Sequence, residues 1–214
     1  MVFELAPELR GWYPGVQIIS ASECRISELE LQQYQSIIEG LYGQYKDPFH
    51  DISHITRALI LASLQIDQAR KRGKQVDTAV INWSVILHDV GINSHDIPDH
   101  GDVGAILITP FVRASPLFTP QQAEHIITNV RWHNKPHNII PHEVLTHEFS
   151  IVTNADALDL VRMGDGRVIY LTSREVLGLG KVAQQLFEKT AEVTRGGEFD
   201  SIMNAASELG LVIA

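Results

Sequence analysis

The chain has 214 residues, of which 44% are hydrophobic and 20% are charged, and its formal net charge is −9. This length and composition suit one soluble globular domain with a sizeable core. The negative charge argues against broad, non-specific binding to nucleic acid or to an anionic membrane, although a metal ion can reverse the charge locally. Cys24 is the single cysteine, which excludes an internal disulfide and fits a reducing compartment.

The N-terminus and the hydropathy predict a cytoplasmic protein. Residues 1–9 carry two glutamates and a proline, and they lack the basic and then apolar pattern of a signal peptide. No apolar run reaches the roughly 20 residues that span a bilayer. We therefore expect a protein that has no membrane partner.

The first half of the chain has the apolar periodicity of helices. After an irregular lead-in over residues 1–26, a capping-box pattern at Ser27 and Glu30 predicts a helix that ends at Tyr42. A second helix is expected to begin near Asp51, because apolar residues then recur at the spacing of one buried stripe. Residues 76–89 are apolar on almost every side, which indicates a central helix.

The second half continues the pattern. A loop over 92–99 precedes a helix at 101–112, and Thr119 followed by Pro120 is typical of a helix start. That helix is expected to reach Trp132, before prolines at positions 136 and 141. Further helices are predicted at 149–163, 173–194 and 200–209, and residues 168–171 are a candidate short strand.

These elements predict an all-α fold, a helical bundle. We expect one domain over residues 1–214, with its motifs at 49–162, the lead-in at 1–26 and C-terminal helices within 172–211. The sequence contains no repeat and no low-complexity tract.

Five short segments place histidine or aspartate at a helix or at its end. They read FHDISH at 49–54, ILHDVG at 86–91, HGDVGA at 100–105, RWHN at 131–134 and NADAL at 154–158. Imidazole and carboxylate groups together suit transition metals such as zinc, manganese, iron or nickel. The segments are therefore candidates for a metal site.

Each segment also has a structural interpretation when it is taken alone. His88 and Asp89 close an apolar helix, and an isolated pair of this kind is usually a capped helix end. Asp156 lies on an apolar stripe, where a carboxylate needs either a metal or a cation such as Arg162 or Arg131. The residue types alone leave both interpretations open.

Taken together, His54, His88, Asp89 and Asp156 stand in the order of a known pattern. Over residues 49–162, about half of the chain, the sequence resembles the HD-domain superfamily of metal-dependent phosphohydrolases. The resemblance implies a bundle of the HD-domain type in which these four side chains bind the first metal ion.

Local context adds to this resemblance. Residues 49–54 match the family's aromatic-His-Asn-x-x-His pattern except at Asp51, where asparagine is common. The HDVG of residues 88–91 is a frequent form of the His-Asp pair, and the HGxxGA of residues 100–105 is the usual start of the following helix.

The resemblance also implies a place for a second ion. Family members with two metals add two histidines between the pair and the last aspartate, and the aspartate of the pair bridges the ions. His100 and His133 stand in those positions, although His100 could instead cap its helix and His133 could lie at the surface. The expected cofactor is one or two divalent ions, among Mn, Fe, Ni, Co, Zn and Mg.

The implied chemistry is hydrolysis of a phosphate ester by metal-activated water. Asp89 would hold the metal, and His50 would protonate the departing oxygen, as the equivalent histidine does in related phosphodiesterases. The departure from the family pattern at Asp51 weakens the assignment of His50. Arg131 and Lys135 flank His133 and are candidate phosphate ligands or solvated charges.

Three functions remain open at this level. The first is a phosphohydrolase acting on a nucleotide or another small phosphorylated metabolite, and the second is an HD-type di-iron oxygenase with the same ligand order. The third is a non-catalytic, metal-stabilised sensor or interaction domain. The sequence does not match the branch of the family that has Gly-Tyr-Pro after its metal histidines, which argues against cyclic dinucleotides as substrates. A homo-oligomer is left open.

Overall fold

The computed structural model describes residues 2–6, 24–44, 49–92, 99–164, 168–191 and 198–213. Its α-helices are α1 (Glu28–Gln32), α2 (Gln35–Tyr42), α3 (Ile52–Lys71), α4 (Thr78–Leu87), α5 (His100–Ala114), α6 (Pro120–Trp132), α7 (His147–Asp159), α8 (Gly180–Thr190) and α9 (Glu198–Glu208). Its strands are β1 (Val2–Leu5), β2 (Ile26–Ser27), β3 (Val168–Leu171) and β4 (Val212–Ile213). The described part of the chain is a helical bundle, so the all-α prediction is confirmed.

Helix α3 lies at the centre of the larger core. Almost every residue from His54 to Ala69 is buried, because α4, α7 and α9 pack against different sides of the helix. The predicted stripe through Ile55 and Leu59 is therefore only one of several buried faces. Both ends of α3 remain at the edge of the core, where polar side chains can gather.

Helix α4 connects this core to a second one. Its residues Ile81, Val85 and Ile86 belong to the core around α3, whereas Val80 and Leu87 pack with α5 and α6. The prediction of a central helix at 76–89 is confirmed, with bounds at Thr78 and Leu87. The chain that leaves α4 therefore emerges between the two cores.

Helix starts were predictable in part. Thr119 accepts a hydrogen bond from the backbone of Gln122 and forms a complete capping box, as expected for α6. The capping box expected at Ser27 is wrong, because Ser27 makes no side-chain cap and its backbone belongs to β2. The helix expected from Ser27 to Tyr42 is also divided, by a turn after Gln32.

The strands form two small parallel pairs. β1 pairs with β3, with Val2 opposite Val168, and β2 pairs with β4. The short strand at 168–171 is confirmed, while β1 lies inside the predicted lead-in. Most of that lead-in, and residues 93–98 of the predicted loop, lie outside the described residues.

The later helices differ from prediction mainly at their ends. α7 stops at Asp159 and continues as a 3-10 helix, Leu160–Met163. The helix expected at 173–194 is a 3-10 helix, Arg174–Leu179, followed by α8, and residues 192–194 lie outside the described residues. No helix of the described residues is long and apolar enough to cross a membrane.

Gly91 allows the chain after α4 to touch the start of α5. A Cβ atom on Gly91 would lie 2.1 Å from the carbonyl oxygen of His100 and 2.5 Å from the backbone nitrogen of Gly104. Backbone atoms cannot move aside as a flexible side chain can, so any larger residue pushes the two segments apart. Gly91 therefore sets the separation between the end of α4 and the start of α5.

We expect Gly91→Ala to lower the free energy of unfolding by about 1–3 kcal/mol, the usual cost of overpacking. Urea denaturation of the metal-free protein measures this change. Gly40→Ala is the matched control, because Gly40 is a helical residue with open space around its Cβ position. The control is expected to stabilise the protein by about 0.5–1 kcal/mol, and equal effects of the two substitutions would contradict the packing argument.

Candidate metal centre

Four histidines come together because each lies at a helix end that faces the gap between the cores. His54 is in the first turn of α3, and His100 is the first residue of α5. His88 and His133 are the C-cap residues of α4 and α6. The Nε2 atom of each ring lies within 4 Å of the carboxylate of Asp89.

One pair of histidines faces one oxygen of Asp89. The Oδ2 atom lies 3.2 Å from Nε2 of His54 and 3.3 Å from Nε2 of His88. These two Nε2 atoms are 3.2 Å apart, and all three residues are buried. We call His54, His88 and Asp89 the first triad.

The other pair of histidines faces the second oxygen of Asp89. The Oδ1 atom lies 3.4 Å from Nε2 of His100 and 3.9 Å from Nε2 of His133, and these nitrogens are 2.9 Å apart. His133 is buried and His100 is partly buried. The surface position considered for His133 is therefore wrong. We call Asp89, His100 and His133 the second triad.

Asp156 lies beside the first triad. Its Oδ1 atom is 3.5 Å from Nε2 of His54 and 3.9 Å from Nε2 of His88, and its side chain is 26% exposed. Nη2 of Arg162 is 3.7 Å from the same oxygen. The sequence analysis expected Asp156 to lie beside either a metal site or a cation such as Arg162. In the structure it lies beside both the first triad and Arg162.

The Nδ1 atom of each histidine is engaged away from the centre. His88 and His133 place Nδ1 at 2.7 Å from the carbonyl oxygens of Val85 and Val130, three residues earlier in each helix. Carbonyls in the last turn of a helix lack helical partners, so they are available to accept these hydrogen bonds. The contact orients each ring with Nε2 toward Asp89, as outer partners of metal-binding histidines do.

Asp159 contacts the first triad from behind His54, and the sequence did not single it out. It is buried, and its Oδ2 atom lies 2.8 Å from Nδ1 of His54. Arg57 donates to both of its oxygens, from Nε at 2.7 Å and from Nη2 at 3.1 Å. A carboxylate behind a metal-binding histidine orients the ring and raises its basicity. The sequence carried a weak signal, a second aspartate three residues after Asp156.

The electrostatics of the centre favour charged carboxylates. Burial would raise the pKa of Asp89, but the charge of His88 and the surrounding histidine contacts together outweigh burial and hold the pKa well below its usual value. Burial likewise opposes the charge on Asp159, but Arg57, His54 and Arg162 together bring its pKa down to about 2. Both groups are therefore anionic at neutral pH.

The histidines of the two triads differ in charge. Burial would lower the pKa of His88, but the nearby negative charges, first of all that of Asp89, raise it to about 9. Burial, together with the positive charge of His88, lowers the pKa of His133 to about 4. His133 is therefore neutral at physiological pH, whereas an ion at the first triad would have to displace a proton from His88.

The donor set fits divalent metal. Ligand atoms about 2.1 Å from one ion are about 3.0–3.4 Å apart in octahedral or tetrahedral geometry, close to the separations within each triad. Oδ2 of Asp89 is buried and has no hydrogen-bond partner among the described residues. An ion at the first triad would supply the partner that this oxygen lacks, so buried His–Asp groups and their spacing support a metal site.

The remaining candidate residues lie at the margin of the centre. The ring of His50 packs edge-to-face on that of His54, with centroids 6.2 Å apart. Lys135 pairs with Asp99 and with Asp102, at 2.9 Å, and Nε of Arg131 is 3.6 Å from Asp102. Acidic side chains therefore already pair with both cations. Phosphate binding by Arg131 and Lys135 stays a prediction.

Arg162 is a cation closer to the triads. Its Nη1 atom lies 3.6 Å from Asp159, its Nη2 atom 3.7 Å from Asp156, and its Nε donates to the carbonyl of Phe49 at 2.7 Å. Its side chain is 4% exposed. Arg162 therefore ties the end of α7 to the segment that carries His50 and adds a positive charge beside the first triad.

Comparison with known proteins finds similarity to a solved structure but to no family model or curated protein. The chain matches no model of a protein family and no curated protein. It is similar to a crystal structure of a predicted HD superfamily hydrolase from an uncultured Thermotogales bacterium, with 19% sequence identity and a TM-score of 0.47. The similarity covers 85% of this chain and 87% of that chain. A likeness of this size does not decide the activity, which we infer from the site.

The buried His–Asp cluster is nevertheless of the kind that the HD pattern predicts. His54, His88, Asp89, His100 and His133 all lie in the two triads. The resemblance noted in the sequence therefore extends to the placement of these side chains.

We expect Asp159→Asn to lower the affinity of the first triad for Mn²⁺ or Zn²⁺ by about 10–100-fold, as loss of an outer partner does. Asparagine keeps the volume but loses the charge that orients His54. Competition titration with a chromophoric chelator measures the affinity, and circular dichroism checks the fold.

Glu124→Gln is the control for this experiment, because Glu124 also pairs with an arginine, Arg113, but both side chains are more than half exposed. It is expected to leave metal affinity unchanged. Wild-type affinity in Asp159→Asn would mean that the buried carboxylate does not support the centre.

Proposed function

We propose that this protein is a metal-dependent phosphohydrolase that acts on a nucleotide or another small phosphorylated metabolite. The observation that carries the proposal is the position of Asp89, whose two oxygens each face a separate pair of imidazole nitrogens. A carboxylate in this position is suited to bridge two divalent ions. Paired ions of this kind hold the attacking and leaving oxygens in phosphate ester hydrolysis.

The charge of the centre supports an anionic substrate. Asp89, Asp156 and Asp159 contribute three negative charges, and Arg57 and Arg162 contribute two positive ones. One divalent ion already makes this total positive, and a second makes it more so. An overall acidic chain can thus bind an anion at this one place.

The roles of the side chains follow from their positions. His54, His88, Asp89 and Asp156 would hold the first ion, and Asp89, His100 and His133 would hold the second. When bound, a divalent metal lowers the pKa of water toward about 7 and neutralises phosphate oxygens. Burial of the triads limits the water that can reach the centre, which strengthens these electrostatic effects.

His50 is proposed as the acid that protonates the leaving oxygen. It lies half-buried beside His54, at the margin of the first triad. Histidine is the side chain that most often donates or accepts the proton in general acid–base catalysis. Asp51, which replaces the family's asparagine, serves a separate purpose, because it caps α3 by accepting from the backbone of His54.

The direct test is hydrolysis of a panel of phosphate mono- and diesters and nucleotides with Mn, Co, Ni, Fe, Zn or Mg, with metal content measured on the same samples. We expect metal-dependent release of phosphate or alcohol. Asp89→Asn is expected to lower the rate by about a thousandfold because it removes the shared metal ligand. Asp67→Asn, a partly buried position in the C-terminal half of α3 that pairs with Lys71, is the matched control.

His50→Gln separates the acid from the metal ligands. We expect a loss of about a hundredfold or more in kcat with unchanged metal content. The proposal fails if the panel gives no hydrolysis with any metal. It also fails if the protein binds two irons and consumes oxygen in a substrate-dependent way, which would instead support the oxygenase.

A further inference from the structure

A small polar cavity lies at the other end of α3 from the metal centre. Its volume is about 50 Å³, and its walls come from the end of α3, from α7 and from the segment after β3. We call it the α3–α7 cavity, and its lining includes Gln65, Arg72, Asn154, Thr172 and Glu175. Arg72 follows His54 by about 27 Å along the helix axis, so this cavity is separate from the triads.

Two buried amide side chains that line the cavity each leave one polar atom unpaired. Gln65 is 2% exposed and directs Nε2 to the carbonyls of Leu61 and Ile151, at 3.2 and 3.4 Å, which leaves Oε1 as an acceptor. Asn154 is 1% exposed, and its Oδ1 accepts from the backbone nitrogen and the hydroxyl of Thr172, at 2.7 and 2.9 Å. Its Nδ2 remains as a donor. Neither free atom has a hydrogen-bond partner among the described residues.

Arg72 adds a charged pair of donors to the same cavity. Its Nη1 pairs with Oε2 of Glu175 at 3.0 Å, while Nε and Nη2 are buried and lack hydrogen-bond partners in the described part of the chain. Nε and Nη2 form one edge of the guanidinium group, the edge that binds an oxyanion with two parallel hydrogen bonds. Lys74 contacts the other oxygen of Glu175 at 3.2 Å, so the local charge is positive.

An unpaired buried polar group costs about 1–3 kcal/mol, and several such groups in one cavity indicate a missing partner. From their chemistry we infer that the α3–α7 cavity binds a compact oxyanion that carries a hydroxyl of its own. The oxyanion accepts from Nε and Nη2 of Arg72 and from Nδ2 of Asn154, and its hydroxyl donates to Oε1 of Gln65. Hydrogen phosphate is the simplest molecule with these groups.

The size of the cavity agrees with such a ligand. A cavity of about 50 Å³ has room for about three to five water molecules, which is close to the five heavy atoms of phosphate. The site is distinct from the metal centre and does not depend on the proposed hydrolysis. Water is the alternative occupant, and a binding measurement distinguishes it from the oxyanion.

The test compares phosphate with sulfate by isothermal titration calorimetry, above the second pKa of phosphate. Both ions are then tetrahedral dianions, but only phosphate keeps a hydroxyl to donate. We expect phosphate to bind about tenfold more tightly than sulfate, the value of one hydrogen bond to a charged partner. Gln65→Met removes the acceptor and is expected to abolish this preference.

Arg72→Gln is expected to lower phosphate affinity by about tenfold or more, because it removes two charge-assisted hydrogen bonds. Arg113→Gln is the matched control, since Arg113 also pairs with a glutamate but is exposed, and it is expected to bind phosphate like the wild type. Circular dichroism confirms that each variant is folded.

Asp89→Asn distinguishes the cavity from the metal centre. We expect phosphate binding to persist in Asp89→Asn and to be lost in Arg72→Gln. The reverse pattern would assign the phosphate to the metal centre, and no binding at all would mean that the cavity holds only water. Either result would overturn the inference and leave the proposed hydrolysis standing. Sulfate binding as tight as phosphate binding would overturn the role of Gln65.

Discussion

The buried carboxylate of Asp89 is the group on which the structure of the centre depends. A charge removed from water is costly unless opposite charge and hydrogen bonds compensate it. Here four imidazole rings surround the carboxylate, and their outer nitrogens are oriented by main-chain carbonyls, by the amide of Asn134 and by Asp159. The Nε2 atoms of the four rings and both carboxylate oxygens therefore face one another where the two cores meet. A carboxylate that bridges two metal ions needs this surrounding.

The residues of the two triads were predictable from the sequence because they are few, chemically distinctive and carried by short motifs. The orienting contacts were not, since Val85 and Val130 act through main-chain carbonyls that any residue has. Asp159 was missed for another reason. Its role depends on Arg57, which lies 102 residues earlier in the chain and meets it only when α3 packs on α7.

The fold was predictable to a similar extent. Apolar periodicity identified the long helices, because a 3.6-residue repeat over several turns has few alternative explanations. The strands β1, β2 and β4 have four residues or fewer, too short for a recognisable alternation, and pair with distant segments. Ser27 illustrates the competition. A helix begins beside it, at Glu28, as its pattern predicted, but Ser27 makes no side-chain cap and its backbone pairs with β4.

The metal centre itself is tested most directly by anomalous diffraction from crystals grown with Mn²⁺, together with metal content in solution. The account predicts two anomalous peaks about 3.5–4 Å apart, one on each side of the Asp89 carboxylate. His133→Ala is expected to remove only the peak at the second triad. A fully loaded crystal with no peak beside Asp89 would contradict the account.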